Sequence, residues 1–311
     1  MPTIKVSPDD AEVPFVPEAN LLTTLVDAGV PIDHLCGGRG RCSTCRVFLF
    51  EGLSNVSERT APEEKMAQKL DFPERVRLAC QTTLSDSVRL RRLVLDKTDE
   101  LLASQLGTPR LAGPAGREAQ IAVLFVDVVG YTKMSEALPA FDVVHLLNRF
   151  FSRTDDVVTA NAGAIDNYMG DAVLALFGLH DEPDPALSAV RSGLAVLEVA
   201  KNLSHYVKRL YGMEFAVRVG IDYGEVIVGI MGAGDSARET VIGDTVNVAS
   251  RLETANKDLG SDMLVSNAVH HLTQSSVTFG ARHELDVRGK LGMVVAHEVI
   301  SVDAPVEEGV E

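Results

Sequence analysis

The chain has little of what marks several large classes of protein. Its 311 residues include no tryptophan, and 44 aspartates and glutamates outnumber 29 lysines and arginines, which gives a net charge of −15. An acidic chain of this kind is disfavoured from binding nucleic acid or anionic lipid. No apolar run approaches the roughly 18–20 residues of a membrane helix, and no G-x-x-x-x-G-K-[ST] phosphate loop is present. We therefore expect no nucleic-acid partner and no membrane insertion.

Glycine and proline are concentrated in one stretch near the first third of the chain. Residues 107–116 hold three glycines and two prolines, a composition typical of a linker. The length is sufficient for two domains with separate cores. We predict a domain at residues 1–97, a linker at 98–118, a second domain at 119–301 and an acidic tail at 302–311. No secretory signal is evident, so we expect a cytoplasmic protein.

Cysteine is also scarce, and all four cysteines fit one pattern. Cys36, Cys42 and Cys45 form a C-x5-C-x2-C run, and Cys80 follows after 34 residues. Glycines within the run allow the backbone to fold closely around a metal. A disulfide is disfavoured in the reducing cytosol, and a structural zinc site usually has two short C-x2-4-C pairs. The pattern favours an iron–sulfur cluster, one residue longer in its first spacing than the plant-type C-x4-C-x2-C.

Residues 3–96 resemble the adrenodoxin-like branch of the [2Fe–2S] ferredoxins. The resemblance implies a β-grasp fold and a [2Fe–2S] cluster bound by the four cysteines. It also implies a redox partner, which the sequence does not identify. His34 precedes Cys36 by two residues, but a Rieske-type site needs two histidines, so we interpret His34 as a turn or neighbouring residue.

Four polar residues in the remaining chain have spacings that suggest phosphate chemistry. Asp127 ends an apolar run, and Asp171 precedes another. Carboxylates at strand ends suit Mg²⁺, which proteins hold with one or two carboxylates plus substrate phosphates. Asn247 and Arg251 stand at i and i+4 of a predicted helix and suit a ribose and a phosphate oxygen. The alternative for each aspartate is an ordinary turn residue after a strand.

Four ordered segments carry a family resemblance. They are Phe125–Thr132, Gly163–Asp171, Arg218–Val226 and Val241–Glu253. From about Ile121 to Val299 the chain resembles the catalytic domain of class III adenylate and guanylate cyclases. The resemblance implies an α+β fold of βαββαβ topology and a C₂ homodimer with active sites shared between subunits.

The resemblance also implies roles for individual residues. Asp127 and Asp171, with a backbone carbonyl near Val128, would hold two Mg²⁺ or Mn²⁺ ions per site. Asn247 would orient the ribose, and Arg251 would stabilise charge on the α-phosphate. The reaction would be attack of the ribose 3′-hydroxyl on the α-phosphorus with loss of pyrophosphate.

The residues expected to contact the base and the terminal phosphates are less typical. Asn167 stands where adenylate cyclases usually carry a lysine, and Thr240 where they commonly carry an aspartate. Arg288 or Lys290 would contact the terminal phosphates, although a basic surface turn explains them nearly as well. An asparagine offers both a donor and an acceptor, so it does not itself choose between ATP and GTP.

The sequence thus predicts an adenylate cyclase with an iron–sulfur domain that regulates it. Guanylate cyclase is the first alternative. A degenerate domain that senses nucleotide without turnover and an electron carrier are the others. Retention of all four polar residues disfavours degeneracy, and a pure electron carrier would not explain about 180 residues of cyclase pattern.

Overall fold

The structure is a computed structural model that describes residues 1–93, 116–180, 182–231, 238–286 and 293–303. The chain divides into two compact units, Met1–Arg117 and Glu118–Glu311. Among the described residues, no helix has the length and apolar character needed to span a membrane.

The first unit is built around a mixed sheet. Its elements are β1 (Thr3–Ser7), β2 (Ala11–Pro14), β3 (Ala19–Asn20), α1 (Leu21–Asp27), β4 (Arg46–Glu51), α2 (Ala61–Leu70), β5 (Val76–Leu78), β6 (Thr83–Leu84) and β7 (Val88–Arg92). Within the described residues, five strands form a sheet in the order β2-β1-β7-β4-β5, and β1 is parallel to β7. Helix α1 contributes three leucines to the core of this unit. The arrangement confirms the predicted β-grasp.

Helix α1 begins at a side chain that also reaches the fourth cysteine. The Asn20 side chain accepts a hydrogen bond from the Thr23 amide at 3.2 Å, which satisfies one free donor at the start of the helix. The Asn20 Nδ2 donates to the Cys80 carbonyl at 3.0 Å. Gly29, with φ +75°, follows the helix end, where glycine is the preferred residue.

A buried ion pair joins helix α2 to strand β5. Glu63 is fully buried, and Arg77 donates to both of its carboxylate oxygens at 3.0 and 2.9 Å. The amide of Leu78 donates to the same carboxylate at 2.6 Å. Because β5 leads directly into Cys80, this pair fixes the segment that carries the fourth cysteine.

The second unit has more strands and longer helices. Its elements are β8 (Gly116–Val128), α3 (Tyr131–Ala137), α4 (Ala140–Ala160), β9 (Gly163–Met169), β10 (Ala172–Phe177), α5 (Pro185–Tyr211), β11 (Val217–Met231), β12 (Arg238–Ile242), α6 (Asp244–Leu259), β13 (Met263–Ser266), α7 (Asn267–Thr273), β14 (Val277–Asp286) and β15 (Met293–Val302). Its described strands run β14-β15-β13-β11-β8-β10-β9, and β12 pairs with β11. The β11-β8-β10-β9 part, with α4 and α5 as crossovers, is the predicted βαββαβ topology.

Strand β8 is buried on both faces of this sheet. Leu124 and Val126 pack into the core that includes α4 and α5. Ile121 and Val123 pack into a second core that includes residues of α6. Side chains alternate between faces along a strand, so Asp127 lies on the α6 face.

One long strand, β11, continues from Val217 to Met231 across two apolar segments, 215–221 and 226–230, which taken alone suggest two separate strands. Its first part pairs with β13 and its second part with β12. The alternation of buried and exposed residues changes phase between the two parts. In the sequence, this change makes one continuous strand look like two.

Two predicted domain boundaries differ slightly from the structure. Strand β8 begins at Gly116, so residues 116–118 of the predicted linker belong to the sheet. Val302, predicted to open the tail, ends β15. The remaining linker residues 98–115, including a predicted short helix at 98–104, and tail residues 304–311 lie outside the described residues.

We predict that Glu63→Ala destabilises the first unit by about 3–5 kcal/mol, because it leaves the buried Arg77 charge uncompensated. The control is Glu64→Ala, whose exposed side chain pairs only loosely with Arg59, at 3.5 Å. Its expected cost is about 1 kcal/mol or less. Urea unfolding of both variants, followed by circular dichroism, measures the difference. Equal destabilisation by the two substitutions would contradict the prediction.

Candidate functional site

The four cysteines of the first unit meet as two adjacent pairs. Cys36, Cys42 and Cys45 lie in the loop between α1 and β4, and Cys80 lies in the short turn after β5. The Ala79 amide donates to the Cys45 carbonyl at 3.0 Å and joins the two segments. The Cys36 thiol lies close enough to that of Cys42, and the Cys45 thiol to that of Cys80, for each to shift the pKa of the other. Two thiolate pairs fit a cluster of two irons, in which each iron takes two protein ligands.

The backbone around these thiols is closely packed. Gly40 has φ +67°, and a Cβ there would lie 2.9 Å from Pro62 and 3.0 Å from the Gln81 side chain. The Gln81 Nε2 donates to the Gly38 carbonyl at 3.2 Å and approaches the Cys80 sulfur at 3.6 Å. Glycine in the loop and an N–H donor beside the sulfur both suit a compact thiolate site.

The two thiols of the buried pair have opposite pKa shifts. The hydrogen bond from Cys45 lowers the pKa of Cys80 to about 6, although burial opposes the shift, and Gln81 assists. The hydrogen bond to Cys80, followed by burial, raises the pKa of Cys45. The thiolate is the form that binds metal, so a bound cluster would take both sulfurs without the proton that this pair shares. His34 Nδ1 lies 3.0 Å from the Ile32 carbonyl, a local turn contact.

In the second unit, the two predicted metal aspartates lie side by side. Asp127 is the penultimate residue of β8, and Asp171 precedes β10. The strands are antiparallel with Val126 opposite Val173, which brings both aspartates to the same end of the pair. Burial, and then the charge and hydrogen bond of Asp171, raise the pKa of Asp127 to about 6. A bound cation would relieve this repulsion, so the pair fits a metal.

The described residues contain no group of three or more histidine, cysteine, aspartate or glutamate side chains arranged around one metal. The aspartate pair would therefore supply two ligands, and substrate phosphates and water would supply the rest. This is the usual manner in which proteins hold Mg²⁺ beside a nucleotide. The ligand role of the Val128 carbonyl stays a prediction.

Two further charged residues affect the aspartate pair, and neither has a role predicted from the sequence. Arg218 lies in β11 and opposes the rise in the pKa of Asp127. Glu253 lies in α6 and is buried; its own burial, and then the charge of Asp127, raise its pKa to about 7. Both residues belong to the segments that carried the resemblance. In the sequence, the signal for such a role is a charged residue among the otherwise apolar positions of a strand or a helix face.

The two residues predicted to contact the base lie on β9 and β12, and side chains of these strands are hydrogen-bonded to each other. The Asn167 Oδ1 on β9 accepts from the Arg238 guanidinium of β12 at 3.2 Å. The Thr240 hydroxyl on β12 donates to the Asp166 carboxylate of β9 at 3.0 Å. The structure therefore brings Asn167 and Thr240 into one cluster of polar side chains.

The predicted catalytic pair lies on the outer side of α6. Asn247 is exposed and Arg251 is partly exposed, whereas Val248 and Leu252, the residues that directly follow them, are buried. Arg218 is the arginine whose charge acts most on Asp127. Arg288 and Lys290, predicted to contact the terminal phosphates, lie outside the described residues.

A cavity of about 460 Å³ lies elsewhere in the second unit, between the start of α6, the start of α7 and β15. Neither Asp127 nor Asp171 lines it. The candidate site is the pair of carboxylates and not this cavity, because a phosphate site requires charged groups that converge on one point.

Comparison with known proteins agrees with both halves of this description. Residues 114–299, more than half of the chain, match the adenylate and guanylate cyclase catalytic domain. The chain belongs to this family. Residues 4–85 match the 2Fe-2S iron-sulfur cluster binding domain. The cofactor of the first unit is therefore a [2Fe–2S] cluster, and that of the second is Mg²⁺ or Mn²⁺.

Two relatives in sequence are adenylate cyclases. The chain is 33% identical over 205 residues to adenylate cyclase 1 of Rhizobium meliloti (strain 1021), which covers 65% of this chain and 31% of that protein. It is 29% identical over 211 residues to an adenylate cyclase of Anabaena cylindrica, covering 67% of this chain and 42% of that one. The chain thus spans less than half the length of either relative.

Similar solved structures include cyclases of both nucleotide types. The guanylyl cyclase Cya2 superposes with a TM-score of 0.58 at 29% identity, covering 62% of this chain and 98% of that chain. The adenylyl cyclase CyaB from P. aeruginosa superposes with a TM-score of 0.56 at 28% identity, covering 60% and 96%. Because both nucleotide types occur among these relatives, the comparisons do not distinguish ATP from GTP.

Proposed function

We propose that the protein is a homodimeric adenylate cyclase that converts ATP to cyclic AMP and pyrophosphate. The observation that carries the proposal is the Asp127–Asp171 pair at adjacent strand ends, in a domain of the cyclase family. A pair of carboxylates this close has a high affinity for divalent cations, and such cations bind triphosphates.

The reaction follows from the placement of the chain's own groups. The ribose 3′-oxygen forms a bond to the α-phosphorus, the bond from the α-phosphorus to the pyrophosphate oxygen breaks, and the hydroxyl proton leaves to solvent. Asp127 and Asp171 would hold the metal ions, which would supply activation of the 3′-oxygen and neutralisation of the leaving pyrophosphate. Asn247 orients the ribose. Arg251 donates to the α-phosphate oxygens, where negative charge develops in the transition state.

The positions of these residues favour a site completed by a second copy of the chain. Asn247 and Arg251 lie on the side of α6 that points away from the sheet. The two aspartates lie on the other side of the helix, at the sheet face that α6 covers. In a C₂ dimer, the outer side of α6 from one subunit faces the aspartates of its partner. An apolar surface suited to this contact is formed by the exposed side chains of Tyr168, Met169, Ile227, Ile230, Met231 and Ile242.

The base cluster favours adenine. Arginine has only donors, so the Asn167 oxygen must face Arg238, which leaves the amide NH₂ for the base. Thr240 uses its single hydroxyl hydrogen on Asp166, which leaves only acceptor lone pairs. One donor and one acceptor complement the N1 acceptor and the N6 amino group of adenine. The Watson–Crick edge of guanine presents donors at both N1 and N2 and needs more acceptors. GTP is the alternative substrate, supported by the similarity to guanylyl cyclase Cya2.

The first prediction from this proposal concerns the shared site. Asp127→Ala and Arg251→Ala should each lose activity by about a hundredfold or more, because each removes a group that acts on the transition state. After the two variants are mixed and exchange subunits, half of the dimers are mixed and each has one intact site. About a quarter of the wild-type rate should therefore return. Rates are measured as cyclic AMP formed with Mn²⁺. Folded variants that exchange subunits but stay inactive together would contradict the shared site.

A second prediction concerns the choice of base. Arg238→Met should reduce the preference for ATP over GTP, measured as the ratio of kcat/KM values, because the Asn167 amide becomes free to rotate. The expected change is about tenfold, comparable to one hydrogen bond of roughly 1–2 kcal/mol. Arg282→Met is the matched control, since Arg282 is an exposed arginine of β14 that pairs with Glu284 of the same strand. An unchanged ratio in Arg238→Met would refute the orienting role of Arg238.

We also propose that the iron–sulfur domain regulates the cyclase. The support is that one chain carries a redox centre and a dimeric enzyme. Regulation requires the reduced and oxidised domains to interact differently with two states of the cyclase. A typical coupling of about 1–3 kcal/mol would change the rate by roughly 5–150-fold. Rates are compared for dithionite-reduced, oxidised and cluster-free Cys42→Ser protein at one dimer concentration. Three equal rates would remove the regulatory role.

A further inference from the structure

The start of helix α2 lies beside the turn that carries the fourth cysteine. Thr60 directly precedes the helix, and its hydroxyl accepts a hydrogen bond from the Glu63 amide at 3.4 Å. The same hydroxyl donates to the Oε1 of Gln81 at 2.7 Å. Gln81 directly follows Cys80 in the chain. One hydroxyl group therefore caps α2 and also holds the side chain next to the fourth cysteine.

The neighbours of the Gln81 amide decide which of its two ends faces the sulfur. The Nε2 lies 3.2 Å from the Gly38 carbonyl, 3.3 Å from the Cys80 carbonyl and 3.6 Å from the Cys80 sulfur. A carbonyl oxygen only accepts hydrogen bonds, so the amide NH₂ must face the two carbonyls. The Oε1 is left for Thr60, whose hydroxyl supplies the hydrogen. This orientation brings an N–H group to the Cys80 sulfur.

Close packing leaves the Gln81 amide little room to turn. A Cβ on Gly40 would lie 3.0 Å from the Gln81 Cδ and 2.9 Å from the Pro62 Cβ. The cysteine loop, the start of α2 and the Gln81 side chain are therefore in direct contact at Gly40. Glu63, in the first turn of α2, accepts from the Leu78 amide at 2.6 Å, which fixes the helix to β5. The position of α2 beside the turn is thus set by contacts other than the bond from Thr60 to Gln81.

Hydrogen bonds to cysteine sulfur are one of the means by which a protein sets the reduction potential of an iron–sulfur cluster. Reduction by one electron adds negative charge to the cluster and its sulfur ligands. An N–H dipole that points at a sulfur stabilises the more negative form, so a donor of this kind raises the potential. The Gln81 amide is such a donor, and its orientation depends on Thr60.

We propose that Gln81 raises the reduction potential of the [2Fe–2S] cluster through its N–H donor to the Cys80 sulfur, and that Thr60 is the positioning residue that keeps this donor in place. Neither side chain ligates iron. The hydrogen bonds run from the cap of α2 to Gln81 and from Gln81 to the sulfur, so a property of the cluster depends on the first residue of a separate helix. The inference concerns the first unit alone and does not depend on the nucleotide reaction proposed above.

The test measures the reduction potential of the full-length protein by titration with dithionite and redox mediators, followed by visible absorption and by electron paramagnetic resonance of the reduced cluster. Gln81→Met keeps the length of the side chain and removes its N–H donors. It should lower the equilibrium constant for one-electron reduction about fivefold, which is about 40 mV at 59 mV per tenfold change. The matched control is Gln68→Met, at an exposed glutamine of α2 that bonds to Glu64. The control should leave the potential unchanged. A change of less than about 1.5-fold with Gln81→Met, or an equal change with Gln68→Met, would overturn the proposal.

A second pair of variants tests the positioning role of Thr60. Thr60→Val keeps the shape of the side chain without its hydroxyl, and it should lower the equilibrium constant for reduction about two- to fivefold. Thr60→Ser keeps the hydroxyl and should retain the wild-type potential. Loss of the helix cap lowers the Tm of Thr60→Val in either case. A lowered Tm with an unchanged potential would therefore show that Thr60 only caps α2, and it would overturn the positioning role.

A double-variant cycle tests whether Thr60 acts through Gln81. Once Gln81→Met has removed the donor, adding Thr60→Val should change the equilibrium constant by less than about 1.5-fold. An undiminished effect of Thr60→Val in that background would contradict the proposal. Iron and sulfide per chain are measured for every variant. If Gln81→Met does not bind the cluster, the Thr60 pair decides: a lower potential in Thr60→Val than in Thr60→Ser supports the proposal, and equal potentials overturn it.

Discussion

Repulsion between the carboxyl groups of Asp127 and Asp171 is the constraint on which the second unit depends. Two such groups separate unless the fold holds them together, and β8 is held because cores form on both of its faces. The antiparallel pairing of β8 with β10 then fixes the second aspartate beside the first. The electrostatic cost of this arrangement is recovered only when a cation binds, which makes metal affinity a property of the fold as a whole.

The first unit solves a related problem with sulfur. Its thiols come from one loop and from a turn more than 30 residues later, and a hydrogen bond from Ala79 to Cys45 joins the two. The buried Glu63–Arg77 pair fixes the strand before Cys80, and Asn20 connects the start of α1 to the Cys80 carbonyl. The polar contacts thus hold the cluster segments from three sides. This fits a small domain in which side-chain hydrogen bonds supplement a modest core.

Local signals in the sequence predicted much of this structure. Thr60 and Pro62 are local signals for the start of α2, and Gly170 is a local signal for the turn between β9 and β10. Pairing between distant strands was not predictable in the same way. The continuity of β11 depends on a change of partner from β13 to β12, which no local pattern records. The contacts of Asn167 and Thr240 likewise depend on how β9 meets β12. Glu253 was missed because a glutamate on a helix is usually exposed, and its burial results from the close approach of α6 to β11 at Gly220.

Helix α6 has a consequence for how a dimer would behave. Its outer side carries Asn247 and Arg251, and its inner side carries Glu253, within two turns of one rigid element. If the active sites form between subunits, each α6 belongs to two of them, as a donor of catalytic groups to one and as a wall of the other. A substitution that shifts or rotates α6 in one subunit would therefore alter both sites of the dimer at once.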